Sequence, residues 1–363
     1  MEKHQILAIY GTDYTDMTVR LLESADFEGL VPDRHARIGI KPNLVVAATA
    51  DGGAVTHPEI IEGVVRFLRG RGYDNFCVLE GSWAGDRTKR AYEVSGIGPV
   101  CRECGVEYID LQTDSAVQVD AKGFRVDVCS KALELDFLIN LPVLKGHCQT
   151  VVTCALKNHK GLLPNQEKRR FHAEGLHSPI AHLASVFSNE LIIVDNICGD
   201  LDFEEGGNPV TMNRILCARD PVLVDAFACR TLGYDMEEVT YISLAEKLGV
   251  GSANVEKAEL IELNKGTFAA PTRTTRRVKR LAEYVAADNA CSACYGMLIH
   301  ALDKLERRDE LWGHQEKICI GQGYRKKGGA IGVGRCTEGC VVSCKGCPPT
   351  AADILTFLES NWR

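Results

Sequence analysis

Nowhere in this 363-residue chain do eighteen apolar residues run together, and its amino terminus, MEKHQILAIYGTDYTD, lacks the apolar core of a signal peptide. The expectation is a cytoplasmic protein with no membrane role. Basic charge is not in excess either, since 42 Lys and Arg stand against 49 Asp and Glu for a net charge of -7. That balance argues against a general nucleic-acid footprint. No internal repeat and no low-complexity segment is visible, and the length suits two domains with a large apolar interior. Cysteine is not lacking, at 16 residues. Nine of them precede residue 290, mostly in apolar settings such as FCVLEG and LCARDPVLVDAFAC. Such usage does not resemble a small disulfide scaffold and fits a reducing compartment.

The other seven, Cys291, Cys294, Cys319, Cys336, Cys340, Cys344 and Cys347, gather at the carboxyl end. Cys291-Ser-Ala-Cys294 runs into YGMLIHALDKLERR, where Met297, Leu298, Ala301, Leu302 and Leu305 recur at helical spacing, so the pair opens a helix. The second group reads IGVGRCTEGCVVSCKGCPP, whose glycines permit tight turns around a bound group. Thiolates converging from two segments suit tetrahedral zinc or an iron-sulfur cluster. A pair that opens a helix, and a last cysteine followed by proline, favour iron over a zinc ribbon. Seven cysteines fall one short of two four-cysteine sites, so one 4Fe-4S cluster is expected. Its ligands are read as Cys291, Cys294, Cys336 and Cys347, with Cys340 or Cys344 as replacements for Cys336. Cys319, inside KICIGQG, reads as a buried strand thiol.

Upstream, strands and helices alternate. QILAIYG, ARIGIKPNLV, NFCVLEG, VEYIDL and DFLINLPVLKG read as strands, and TVRLLESADF, THPEIIEGVVRFLRG and AYEVSG as helices. In the second helix Thr56 is expected to cap, with Glu59 completing a capping box. The pattern predicts an α/β fold with an open, mostly parallel sheet flanked by helices over residues 1–265, and a small Cys-rich iron-sulfur module over 266–363. Ligands in such sheets lie beyond the carboxyl ends of the strands, here Lys41-Pro42-Asn43, Glu80-Gly81-Ser82 and Lys145-Gly146-His147.

The middle of the chain is rich in cations. Five of the ten histidines (His147, His159, His172, His177 and His182) fall within 147–182, beside Lys145, Lys157, Lys160, Lys168, Arg169 and Arg170. Thr150, Thr153, Lys157 and Lys160 are spaced to share one helix face, which points to a carboxylate or phosphate binder. LIIVDNICGD then gives a buried strand whose Asp195 is placed to hold a cation or to orient a lysine or histidine. Asp220 before Pro221 caps a helix, whereas Asp225 on the same apolar helix has no such explanation. The basic run PTRTTRRVKR, residues 271–280, reads as a solvated linker, with docking of an acidic electron-transfer partner as the functional alternative.

In order, the stretches IKPNLV, THPEIIEGVVRFLR, LPVLKGH, LKNHKGLLP, IVDNI with EEGGNP, DPVLVDA, CSAC, VGRC and KGCPP make the chain resemble the domain-of-unknown-function 362 family over nearly all its length. The resemblance implies an open α/β sheet domain joined to an iron-sulfur region in an anaerobic microbe, and a cluster held by Cys291, Cys294, Cys336 and Cys347. The gaps between Cys336 and Cys347 are wider than in members with a ferredoxin-type insert. The family supplies no agreed reaction.

Three functions compete. A redox protein would pass single electrons to or from a ligand or partner at the cleft, an oxidoreductase role in which Lys145, His147, Lys157 and His172 are the candidate catalytic residues. Lys41, Asn43, Asn158 and Asp195 are the candidate ligand-binding residues. A Lewis-acid enzyme would use an open iron on a carboxylate gripped by Lys145, Lys157 and Lys160. A binding or sensing protein would keep the cluster, or zinc, for structure alone. The partners expected are a redox protein or a small anionic ligand, with homo-oligomer formation left open.

Overall fold

A computed structural model describes residues 1–147, 149–266, 276–311 and 316–362 of the chain. Its main sheet is built from β1 (Gln5–Tyr10), β2 (Ile38–Pro42), β3 (Phe76–Glu80) and β4 (Tyr108–Asp110). A side hairpin, β5 (Ala116–Ala121) and β6 (Phe124–Cys129), precedes β7 (Phe137–Leu141), and a second, β8 (Lys145–His147) and β9 (Val151–Thr153), follows it. β10 (Glu190–Asp200), β11 (Pro209–Ala218) and β12 (Glu259–Glu262) complete an eight-stranded order β12-β1-β11-β10-β7-β2-β3-β4. Only β11 runs against its neighbours, so the expected mostly parallel sheet is what forms.

Alternation along each strand sorts its side chains to two faces. Ile6, Ala8 and Tyr10 enter one core with the helices His177–Ala184, Pro221–Leu232 and Thr240–Lys247, while Leu7 and Ile9 enter the other with Tyr14–Ser24 and Pro58–Gly70. Because helices cover both faces, IGIKP and FLINL are buried along their whole length, which is why they read as near-continuous apolar runs. A third apolar cluster joins Leu201, Val210 and Met212, from the extended β10–β11 hairpin, to the helices Ser292–Arg307 and Ala351–Asn361. That cluster also covers a small parallel sheet of β13 (Val285–Ala287), β14 (Ile318–Ile320), β15 (Ile331–Val333) and β16 (Val342–Cys344).

Three local expectations are corrected. The helix Pro58–Gly70 carries Pro58 in its first turn, but His57 precedes it with no side-chain cap. Thr56 is instead used between strands, its Oγ1 accepting from Asn43 N–H at 2.7 Å and donating to the Leu141 carbonyl at 2.8 Å. Thr56→Val would strand both buried partners and is expected to cost about 1–3 kcal/mol, measured by chemical denaturation; a neutral result would remove this bridge as a support of the site. The described residues of this stretch form the hairpin of β8 and β9 and the short helix Ala155–Asn158, not a continuous helix, so Thr150 and Lys160 do not share a face by helical spacing. Asp225 has a structural explanation after all: its carboxylate accepts from Ala155 and Leu156 N–H (2.7 and 3.2 Å), holding the start of that short helix. Asp220 does cap its helix, accepting from Val222 and Leu223 N–H.

The basic run lies partly outside the described residues. Within them Arg277 is not solvated but paired with Asp202 and Asp303, and Arg280 holds Glu306 at 2.8 Å. No helix among the described residues is long and apolar enough to cross a membrane.

Candidate functional site

The carboxyl ends of β2 and β3 meet the segment 153–172 around a cavity of about 90 Å³. Lys157, Lys160, Lys168, Arg169 and His172 line it, against two carboxylates, Glu80 and Glu204. Glu80 is committed to a lysine outside this set, and Glu204 offsets Lys157 alone, so the cationic excess remains. Glu80 is ion-paired with Lys41 behind the wall, and Gly81 N–H donates to its other oxygen at 2.9 Å. Burial pulls the two partners of this pair toward neutrality, raising Glu80 and lowering Lys41. A Cβ on Gly161 would strike the Glu80 carboxylate, so only glycine fits there.

Glu204 comes from the loop between β10 and β11, where the Asp200 carboxylate turns the chain by accepting from Asp202 and Phe203 N–H, both at 2.7 Å. One Glu204 oxygen is paired with Lys157 and the other accepts from His147 Nε2 at 3.0 Å. His147 Nδ1 accepts from the N–H groups of Gln149 and Thr150 (3.0 Å each), which leaves the ring proton on Nε2. The ring is therefore neutral, and burial, followed by Lys157, holds its pKa down at about 4. Val151 closes this turn at φ 68°, a strained conformation for a β-branched residue. Lys145 donates to Asn43 Oδ1 (3.1 Å), the Ala54 carbonyl (2.6 Å) and the Glu204 carbonyl (2.8 Å), fixing the loop from beneath. Burial brings its ammonium down to about 7.

An amide chain ties these parts together. Asn43 Nδ2 donates to Asn158 Oδ1 (2.9 Å), Asn158 Nδ2 to Asn140 Oδ1 (2.8 Å), and Asn140 Nδ2 to Glu190 Oε2 (3.0 Å), which also meets His159 Nε2 at 3.0 Å. At the open side Lys160 Nζ lies 3.3 Å from His172 Nε2, with burial and then Lys157 bringing its pKa down to about 7. Lys168 donates to the carbonyls of Gly81 (2.7 Å) and Ser82 (3.0 Å), and burial brings it to about 8.

Of the residues proposed from sequence, Asn43, Lys157, Asn158 and His172 stand on the cavity wall, while Lys41 and Lys145 act one bond behind it. His147 reaches the site through Glu204 and otherwise lines a separate depression with Phe203 and Tyr234. Asp195 is not on the wall. It accepts from His57 N–H and Nδ1, both at 2.8 Å; burial opposes the imidazolium, but Asp195 outweighs it and raises the His57 pKa. Sequence reasoning did not place Glu204 at the site, whereas Glu80 was marked only as part of a strand end, Lys160 as a grip on a carboxylate and Lys168 as one of the clustered cations, and all four stand on the wall. The available signal for Glu204 was a glutamate before Gly206-Gly207 in a turn between strands.

A second cavity, of about 70 Å³, lies at the carboxyl ends of the small parallel sheet. Cys291 and Cys294 reach it from the start of the helix Ser292–Arg307, Cys336 from the turn after β15 and Cys347 from the turn after β16. The turn after β14 brings Gln322 and, with Lys265, Arg325 and Arg335 on the rim, the wall is otherwise largely glycine. Gly334, at φ +91°, has no room for a side chain because its Cβ would lie 2.9 Å from Cys294 Sγ. Burial, then the charge of Cys291, Cys347 and Cys336, pushes the Cys294 thiol upward, as expected of sulfurs that face one another. Cys340 and Cys344 are not on this wall. Among the described residues no three His, Cys, Asp or Glu side chains close on a single-ion position.

The domain of unknown function DUF362 matches residues 38–230, which contain every residue of the basic cavity. This range is narrower than the near-whole-chain resemblance read from the motifs, and the cysteine cavity lies outside it. A thylakoid-associated protein, sll1697, of Synechocystis sp. is 23% identical over 232 residues, 61% of this chain and 70% of that protein. The lactate racemase apoprotein from Thermoanaerobacterium thermosaccharolyticum is similar at TM-score 0.43 and 12% identity, over 66% of this chain and 59% of that one.

Proposed function

This chain belongs to the DUF362 family, and we propose that it is an iron-sulfur redox protein whose cleft takes a small anionic ligand. The observation that carries the reading is the convergence of Cys291, Cys294, Cys336 and Cys347 on one glycine-walled cavity at the ends of parallel strands. The fit favours a cluster over one ion. One pair opens a helix and the last cysteine precedes proline, as in iron-sulfur runs rather than zinc knuckles, and the glycine wall leaves room between the sulfurs. A 4Fe-4S cluster held by those thiolates supplies one-electron exchange. Cys347 is exposed, which gives a redox partner access to that side, and Lys265, Arg325 and Arg335 on the rim favour an acidic partner. The nine cysteines scattered before residue 290 suit a reducing compartment, which makes the cytoplasm the location proposed in this reading.

The basic cavity is the ligand's place. Lys157, Asn158 and Asn43 orient the anion, and Lys160 with His172 hold the mobile protons, since Lys160 changes charge near neutrality. This cavity stands at the ends of β2 and β3 of the main sheet, and the cysteines at the ends of the small one. The β10–β11 hairpin connects them, because Leu201, Val210 and Met212 pack in the cysteine module while Glu204 of the same hairpin enters the basic wall.

Anaerobic purification followed by iron, sulfide and zinc analysis, with electron paramagnetic resonance before and after dithionite, tests the cluster. About four irons and a reducible signal are expected; stoichiometric zinc without iron would end the redox reading. The ligand side has its own test. Because Lys160 gains its charge as pH falls through about 7, and Lys168 on the same wall through about 8, affinity for propanoate, whose charge is constant in this range, should rise about tenfold or more from pH 8 to pH 6. His172, whose pKa is lowered by burial and by Lys160, would add charge in the same direction at more acidic pH. Calorimetry on Lys160→Met should find that dependence weakened, and an unchanged profile would remove Lys160 from the site.

A further inference from the structure

Three thiols of the carboxyl-terminal region, Cys319, Cys340 and Cys344, lie off the four-cysteine cavity, and the backbone around the first two is shaped to them as a pair. Cys319 is the central residue of β14, its Cα opposite Gly332 of β15. Cys340 ends the turn that follows β15. Its N–H donates to the Thr337 carbonyl and the next residue, Val341, donates to the Gly329 carbonyl, both at 2.9 Å. The residues facing the sulfurs are glycines that have no space for a side chain. A Cβ on Gly329 would lie 2.6 Å from Cys319 Sγ and 3.2 Å from Cys340 Sγ, and one on Gly332 would lie 3.0 Å from Cys340 Sγ. Two sulfurs this close to a single point are neighbours. Each residue is 8% exposed, just below a surface formed by the bare Gly328-Gly329 and by Tyr324, which sits against Cys319.

From this geometry we infer that Cys319 and Cys340 form a reversible disulfide, a two-electron thiol centre separate from the four-cysteine cavity. The oxidant is an organic disulfide, RSSR. The thiolate of one cysteine attacks a sulfur of RSSR, breaking that S–S bond, releasing one RSH and leaving a mixed disulfide on the protein. The second cysteine, as its thiolate, then attacks the protein-bound sulfur, and the second RSH leaves as the Cys319–Cys340 bond forms. The two thiol protons leave on the two RSH molecules, so the protein loses two electrons and the oxidant gains them. Fixed backbone on both sides supports the second step, because neither cysteine has to search for the other. The bond ties β14 to the turn on which Cys336 also stands, and oxidation therefore fastens the segment that carries this cavity residue.

The test uses the full chain, purified anaerobically and treated with glutathione disulfide, then alkylated with iodoacetamide and mapped by mass spectrometry. The expected result is a linked Cys319–Cys340 peptide, release of two glutathiones per linked chain, and recovery of both thiols after dithiothreitol. In Cys340→Ser the linked peptide should vanish and Cys319 should stop at a glutathione adduct or stay free. Three results overturn the inference: both thiols remain alkylatable in the wild-type chain, the wild-type reaction stops at adducts, or either cysteine links to a different one. The wild-type map decides even if the variant fails to fold.

Discussion

Cys294→Ala is expected to bring iron from about four per chain to well below one and to abolish the dithionite-reducible resonance. Cys294 enters the cavity from the first turn of a helix whose apolar face is fixed in the third core, so the wall has no freedom to supply another sulfur from that side. Gly334→Ala should act in the same direction without touching a cysteine, since a methyl there meets Cys294 Sγ in a backbone conformation that alanine resists. Lys157→Ala should keep its iron while weakening the binding of propanoate. Full iron retention in Cys294→Ala would reject this ligand set. Loss of iron in Lys157→Ala would show instead that the two cavities stand or fall together, and Glu204, paired with Lys157 on the connecting hairpin, would be the residue to examine next.

Much of this arrangement is legible in the sequence because it rests on local rules. β2 and β7 announce themselves as apolar runs, and the helix Pro58–Gly70 by its apolar stripe and Pro58. The cysteine pair before a helix places itself, and the strand-end rule picks out Asn43 and Glu80-Gly81-Ser82 as one neighbourhood. What is not legible depends on long-range partners. Thr56 fits a local capping box, yet two strand-end groups, Asn43 N–H and the Leu141 carbonyl, take its hydroxyl instead. Residues 145–160 carry polar groups at helical spacing, but a turn that directs two N–H groups onto His147 Nδ1 folds them into a hairpin. Glu204 lies nearly fifty residues from Lys157 in sequence, and no periodicity announces that its loop returns to that lysine. Likewise Asp195 sits in a strand like the ligand-binding candidates, but its carboxylate meets the His57 ring and N–H, and the pair closes on itself.

The buried pair between Lys41 and Glu80 carries the largest expected stability effect. Lys41 Nζ also donates to the Pro42 carbonyl at 2.9 Å, and both side chains are almost wholly shielded, so neither charge has water to fall back on. Lys41→Met keeps the shape of the stem and removes the ammonium, leaving the Glu80 carboxylate with Gly81 N–H and the more distant Lys168. Breaking a buried pair on one side is expected to cost about 3–5 kcal/mol. The sign of the pH response follows from Glu80, whose pKa is already raised with Lys41 present and rises further without it. The folded variant then holds a proton that the unfolded chain releases above its ordinary carboxylate pKa. Its stability is greatest in acid and falls as pH rises from that value through the folded one. Adding Glu80→Gln should recover most of the loss and flatten the pH slope, because the uncompensated charge is gone. Chemical denaturation of the two variants across that range measures both effects. If Lys41→Met is as stable as the wild type, or if the double variant is no better than the single one, the pair does not hold the floor of the cleft by its charge. Lys41 then serves through the packing of its stem alone.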